Sequence, residues 1–368
     1  MSYQALMLAA VLHGQRDVRI EQVSAPSPGP GELLLRVQTV GLCGTDLSEW
    51  AHGPRIFPID FAHSATGHCG PLILGHEFAG TVVAVGEGVD DSWIGALVAS
   101  CGITACERCL SCQAGRPNIC REYAVVGLHR NGALAEYVVT PVAGSVAVDQ
   151  LGLSAVEAAL VQPTAIALHA MRRSNVVAGQ CALVHGVGGV GAFLVHVLAA
   201  SGIEVIATDL REDRLALARQ LGARDTIRMG QPESDATLAA ATAVCIPVVF
   251  EASGSAAVLT QTLDSARPGT TVVVVGIQKQ PLPIDLAALT IREIAVIGSN
   301  SMIPEPDFQD AAELVARRRG GWSAVTGELY PLTAVADRVL IDMESGAAAS
   351  VKAVIGFGDL ALAEAGSA

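Results

Sequence analysis

The sequence predicts an α/β protein of two domains: a parallel, doubly wound sheet flanked by helices, and an all-β domain that precedes it in the chain. Three observations carry that reading. A Gly186-x-Gly188-x-x-Gly191 turn separates a short apolar run from an apolar segment of helical length, and the acid Asp209 follows. Strand-like and helix-like runs then alternate as far as Ser299. Residues 1–160 instead show short alternating runs broken by many Gly and Pro turns, as an all-β domain does.

The bulk properties agree. At 368 residues the chain is long for one core. Apolar residues are 51% and charged residues 16%, which suits globular folding and excludes disorder. A net charge of −13 argues against a nucleic-acid partner, because phosphate binding needs clustered Lys and Arg. The compact basic runs, Arg172-Arg173 and Arg317-Arg318-Arg319, read as solvated helix faces.

Taken in order, the apolar run from Ala5 to Leu12 lacks a preceding positive region and a cleavage site, so it reads as a first strand rather than a signal peptide. Cys43-Gly44-Thr45-Asp46 and Gly75-His76-Glu77 follow. Each is weak alone. Together Cys43, His76 and Glu77 offer thiolate, imidazole and carboxylate, three ligands with room for a fourth, which is the arrangement of a catalytic zinc. An open zinc of that kind acidifies a bound alcohol.

Residues 101–120 hold five of the nine cysteines. Leaving Cys101 aside, the spacing is Cys106-x2-Cys109-x2-Cys112-x7-Cys120, amid loop-forming residues. Four thiolates in a reducing compartment suit one closed, structural zinc. A zinc ribbon for nucleic acid is the alternative, and the acidic chain weighs against it. Cys69, Cys101, Cys181 and Cys245 read as small apolar residues. The protein is expected in the cytoplasm.

From Cys181 to Ile203 no Asp, Glu, Lys or Arg occurs, a length that could span a bilayer. The glycine cluster and the strand-like run after it favour a buried strand-turn-helix, so no membrane association is expected. Cys181–His185 reads as a strand, Ala192–Ser201 as a helix, Glu204–Thr208 as a second strand and Arg211–Leu221 as a second helix. Gly186, Gly188, Gly189, Val190 and Gly191 would let the backbone and the helix N-terminus approach a pyrophosphate, while Asp209 would bond a ribose 2′-hydroxyl. Gly276, beyond the β-branched run at 271–275, joins this cofactor set. A carboxylate at Asp209 favours NAD over NADP, and Arg211 softens that preference.

The order of these motifs resembles the zinc-dependent medium-chain alcohol dehydrogenases over nearly the whole chain. The resemblance implies a GroES-like β-barrel catalytic domain over 1–161 and 299–368, carrying the structural zinc lobe, and a Rossmann NAD-binding domain over 162–298. RIFPIDFAHSATGHCGPLILGHEFAG and QPTAIALHAMRRSNV are similar to the polyol and 2,3-butanediol dehydrogenase branch. The resemblance therefore implies NAD-linked oxidation of a secondary alcohol or vicinal diol, or reduction of the ketone or acyloin. It also implies a homodimer or homotetramer.

Roles follow from the matched positions. Cys43, His76 and Glu77 match catalytic-zinc ligands, and Gln162 falls where the branch has Glu; Gln162 either ligates or lies outside the ligand set. Thr45 matches the hydroxyl that passes on the alcohol proton. The usual terminal His of that relay is Ser48 here, and His52 either substitutes or is a surface residue. Asp46 would orient a ligand. Trp50 and Phe57 are pocket wall or core. Three rivals stay open: a non-catalytic dinucleotide-binding relative with only the structural zinc, a polyol or sugar dehydrogenase of the same family, and a zinc-independent NADPH reductase, against which Cys43, His76 and Asp209 speak.

Overall fold

The computed structural model describes residues 6–243, 248–278, 280–358 and 360. The chain divides into two compact units, Met1–Gln162 with Ile303–Ala368, and Pro163–Met302.

In the first unit, strands β1 (Leu6–Gly14), β2 (Asp17–Ser24), β3 (Glu32–Gly41), β4 (Leu72–Ile73), β5 (Glu77–Val85), β6 (Leu97–Ser100), β7 (Ile103–Thr104), β8 (Ala124–Val125), β9 (Tyr137–Pro141) and β10 (Ser145–Ala147) come in chain order. Most pairings are antiparallel, with β3 lying between β5 and β9 and register partners such as Val40 and Phe78. Alternation along β3 sends Leu33, Leu35 and Val37 into one core with Phe78 and Leu134. The all-β expectation for 1–160 misses a helix over Gly44–His52. Leu47, Trp50 and Ala51 stand at i, i+3 and i+4, and Asp46 caps the first turn through the Cys43 amide, so the period is helical. Trp50 and Phe57 both pack in the core, so of the two readings the core one holds.

The second unit is a six-stranded, wholly parallel sheet. Its strands are β11 (Cys181–His185), β12 (Glu204–Asp209), β13 (Asp225–Arg228), β14 (Val248–Glu251), β15 (Thr271–Val274) and β16 (Ala295–Gly298). The order is β13-β12-β11-β14-β15-β16, so the direction of winding reverses between β11 and β14. Ligands bind at the carboxyl ends of strands at such a switch point. Leu183, Ile206, Val249 and Val272 build a core beneath helices Ser234–Ala241 and Ala256–Ser265. The charge-free stretch at 181–203 splits into β11, the glycine turn and helix Gly191–Ala200, and no helix among the described residues is long and apolar enough to cross a membrane.

The chain returns to the first unit with β17 (Leu329–Pro331) and β18 (Val354–Gly356), the latter antiparallel to β3. Cys69 is exposed rather than a small core residue, because it lies on an irregular surface segment. Cys245 lies outside the described residues.

Candidate active site and metal centres

Cys43 ends the turn before helix Gly44–His52, His76 immediately precedes β5, and Glu77 opens it. The fold brings one ligand atom of each within 4.8 Å of the others. His76 and Glu77 are buried and Cys43 is half-buried. Thr45 Oγ1 lies 3.8 Å from Cys43 Sγ, on the first turn of the helix. Ser48 is half-buried on the same helix, while His52 is exposed at its end.

Polar atoms around this cluster are unsatisfied. His76 Nδ1 is buried and has no hydrogen-bond partner, and Asp46 Oδ1 sits 3.5 Å from it, too long for a bond. Gln162 Oε1 is likewise buried without a hydrogen-bond partner. Buried polar atoms without partners are rare. A cation held by Cys43, His76 and Glu77 would satisfy the imidazole. Burial pushes the His76 pKa down, yet Asp46 and Cys43 together hold it well above its ordinary value. Positive charge is thus favoured at His76, and a metal bound there would take the proton's place. The donor set fits zinc.

Lys352 is the functional residue that sequence reasoning missed. It is fully buried and donates from Nζ to Glu77 Oε1 at 2.8 Å and to the Leu42 carbonyl at 3.3 Å. Nζ also lies 2.6 Å from Oε2, but out of line for a hydrogen bond. Burial opposes its charge, and Glu77 and Cys43 more than offset this, raising its pKa. A lysine inside ASVKAVIGF was the one available signal, since a charge in a buried apolar run needs a partner.

The four lobe cysteines also converge. Cys109 Sγ is 3.5 Å from Cys112 Sγ and 3.8 Å from Cys120 Sγ, and Cys120 Sγ is 3.4 Å from Cys106 Sγ. These are contacts, not disulfides. The amides of Cys106 and Glu122 point at Cys120 Sγ at 3.4 and 3.2 Å, as amides do towards thiolate. The Cys112 amide draws the Cys109 thiol down to about 6, while desolvation pushes Cys112 up to about 12. Four thiols this close cannot all ionise without a cation, so the set fits a closed zinc.

In the second unit the glycine turn leaves β11. Gly191 must lack a side chain, because a Cβ there would lie 1.8 Å from the Gly186 carbonyl oxygen. Gly188 faces open space, and Gly189 and Val190 complete the turn before helix Gly191–Ala200. Asp209 ends β12 and accepts from the Val187 amide at 2.8 Å and the Arg211 amide at 3.0 Å, which ties it to the glycine turn. The Arg211 guanidinium is turned onto Asp213 at 2.7 and 3.0 Å. Glu251, fully buried at the end of β14, is a second residue the sequence did not reveal. It accepts from the Ser253 and Gly254 amides at 2.8 and 3.0 Å and from Gln278 Nε2 at 2.8 Å. The Gly276 amide donates to its backbone carbonyl at 2.9 Å.

Comparison with known proteins places this arrangement. Residues 29–150 match the alcohol dehydrogenase GroES-like domain family, and residues 189–317 match the zinc-binding dehydrogenase family. The chain is 30% identical to L-galactonate-5-dehydrogenase of Escherichia coli over 86% of its own length and 89% of that protein. It is 34% identical to (R,R)-butanediol dehydrogenase of Bacillus subtilis over 79% and 84% of the two chains. The crystal structure of 2R,3R-butanediol dehydrogenase from Bacillus subtilis superposes with a TM-score of 0.86 at 28% identity, covering 96% of this chain and all of that one. The chain belongs to the zinc-dependent medium-chain alcohol dehydrogenases. It is an oxidoreductase with a GroES-like domain and a Rossmann domain, and zinc and a nicotinamide dinucleotide are the cofactors of that class.

Proposed function

We propose that this protein oxidises secondary alcohols, vicinal diols among them, with NAD as hydride acceptor, and reduces the corresponding ketones or acyloins. The observation that carries the proposal is the convergence of Cys43, His76 and Glu77 in a buried cluster that favours positive charge. The substrate class draws support from the butanediol and sorbitol dehydrogenases of Bacillus subtilis, which are 34% and 32% identical to this chain.

Cys43 and His76 hold the metal, with Glu77 as third ligand and Gln162 as a neutral fourth donor. Zinc, when bound, supplies the Lewis acidity that lowers the alcohol's pKa. Thr45, 3.8 Å from Cys43 Sγ, is placed to accept the alcohol proton and pass one on, which a hydroxyl does without becoming charged. Asp46 fixes the Cys43 backbone through its amide. Lys352 neutralises Glu77, so the protein ligands present less net negative charge. Cys106, Cys109, Cys112 and Cys120 hold the structural zinc. Asp209 receives the adenosine ribose, and its charge disfavours the 2′-phosphate of NADP.

The protein is a cytoplasmic homo-oligomer in this reading. β16 is an edge strand, and Val296 on it is exposed, as are Leu286 and Ile291 on the preceding helix. An apolar edge of that kind invites pairing with a second copy. The test of the function is NADH formation from NAD across vicinal diols, polyols and simple secondary alcohols, before and after chelation. Chelator-sensitive turnover is the expected result. No turnover by a zinc-loaded sample would instead support the non-catalytic reading.

A further inference from the structure

Residues 55–71, just ahead of His76, form no strand or helix, yet they are held at both ends. Glu49 Oε2 accepts the amides of Arg55, Ile56 and Phe57 at 2.8, 2.9 and 3.1 Å, and Phe57 is fully buried. Further along, Thr66 Oγ1 donates to the His129 carbonyl at 2.8 Å. The His63 ring stacks on the His129 ring with centroids 4.5 Å apart and planes 26° apart.

His129 stands on a turn that abuts the candidate metal site. A Cβ on Gly127 in that turn would lie 2.9 Å from the His76 amide nitrogen and 2.2 Å from the Gly75 carbonyl oxygen. The Ala133 amide, just beyond, donates to Gly75 at 2.9 Å. The irregular segment is therefore folded onto the same turn that packs against His76.

The hydrogen bonds fix the protonation of both rings. His129 Nδ1 accepts the Val125 amide at 3.1 Å, and His63 Nδ1 accepts the Ala65 and Thr66 amides, each at 3.3 Å. A nitrogen that accepts carries no proton, so in each neutral ring the proton is on Nε2. Burial supports this, with the nearby rings of His63 and His76, by drawing His129 down to about 4. Among the described residues neither Nε2–H has a hydrogen-bond partner. Two neutral donors, one on the turn packed against the His76 backbone and one stacked on it, can offer a hydroxyl oxygen hydrogen bonds without adding a cation.

We propose that His63 and His129 are a specificity pair, whose Nε2–H groups bind the neighbouring hydroxyl of a vicinal diol. This rests on the dehydrogenase reading above. One neutral hydrogen bond that a mono-alcohol cannot make gives about tenfold discrimination.

The experiment compares kcat/KM for 2,3-butanediol against 2-butanol, and for 1,2-propanediol against 2-propanol, in the zinc-loaded enzyme. Each His is changed to Phe, which keeps the stack and loses the donor, and to Gln, which keeps a donor and loses the stack. The diol preference should fall about tenfold in His63→Phe and His129→Phe and return in large part with Gln. A preference kept by Phe and lost by Gln would show a structural pair and overturn the proposal. Wild-type turnover of the mono-alcohols with no diol preference would overturn it and leave the dehydrogenase reading standing. Turnover of neither class would sink both. Should His129→Phe not fold, His63→Phe on the surface segment decides alone.

Discussion

Lys352 and Glu77, 275 residues apart in sequence, form a fully buried ion pair at 2.8 Å, on the carboxylate that shares a cluster with Cys43 and His76. Neither group could be buried charged alone. In the zinc-free protein Lys352→Met should therefore destabilise the fold by about 3–5 kcal/mol, because it strands the Glu77 carboxylate. Adding Glu77→Gln should recover part of that loss. Urea unfolding of the two variants measures the difference, and equal stability of single and double variants would show that the pair is not coupled. The Lys352 pKa is raised, so its contribution to stability is whole below the unfolded lysine value of about 10.4 and fades only as pH rises through the folded one.

Zinc uptake at Cys43 and His76 should weaken as pH falls. Asp46 and Cys43 raise the His76 pKa in the metal-free site, so the proton competes with the metal over a wider range than for an ordinary histidine. Binding should release protons. Calorimetry of zinc addition in two buffers of different ionisation enthalpy reads that release directly, and identical heats in both would contradict it.

The four-cysteine lobe should hold one zinc independently of the other site. Cys109→Ser removes the sulfur that touches both Cys112 and Cys120. Metal analysis should fall from two zincs per chain to one, with earlier thermal unfolding, because a structural zinc contributes folding energy outright. Two zincs retained in the variant would place the second metal elsewhere.

How much of this was legible in the sequence depended on how far apart the partners lie. Cys106 to Cys120 and Gly186 to Asp209 are local patterns, where spacing alone constrains geometry. Cys43 and His76 are farther apart but carry residue types whose chemistry points to one site. Lys352 was not legible, because nothing near it in sequence shows that β18 pairs with β3 beside Glu77. The helix at Gly44–His52 was passed over for a related reason. Its apolar positions span only two turns, within a region whose Gly and Pro frequency speaks for strands. His63 and His129 lie in loops, where no periodicity marks a contact, and only the folded chain shows them stacked.

Asp209 should set the cofactor preference. It is held by the Val187 and Arg211 amides, and the Arg211 guanidinium is turned onto Asp213. The wild type should use NAD with higher kcat/KM than NADP. Asp209→Gly should lower kcat/KM for NAD by about 10- to 100-fold, the range of a lost charged hydrogen bond, and narrow the gap. A wild type that uses NADP equally well would refute the assignment.

Glu251 should govern cofactor binding without touching the chemistry. It ends β14, its register partner across the switch point is His185, and its carboxylate gathers the Ser253 and Gly254 amides and the Gln278 side chain. The loops after β14 and β15, the second of which contains Gly276, are thereby tied to one buried group at the mouth of the crevice where dinucleotides bind. Glu251→Gln keeps the volume but replaces an acceptor with an amide that meets donors on both sides. Losing charged hydrogen bonds of this kind costs about 1.5–3 kcal/mol. That loss should divide between the fold and the site. KM for NAD should rise about tenfold, with NADH binding by fluorescence weakened to match, while zinc content stays at two per chain. If unfolding free energy falls and NADH affinity does not, Glu251 holds only the sheet together, and the crevice loops are ordered by something else.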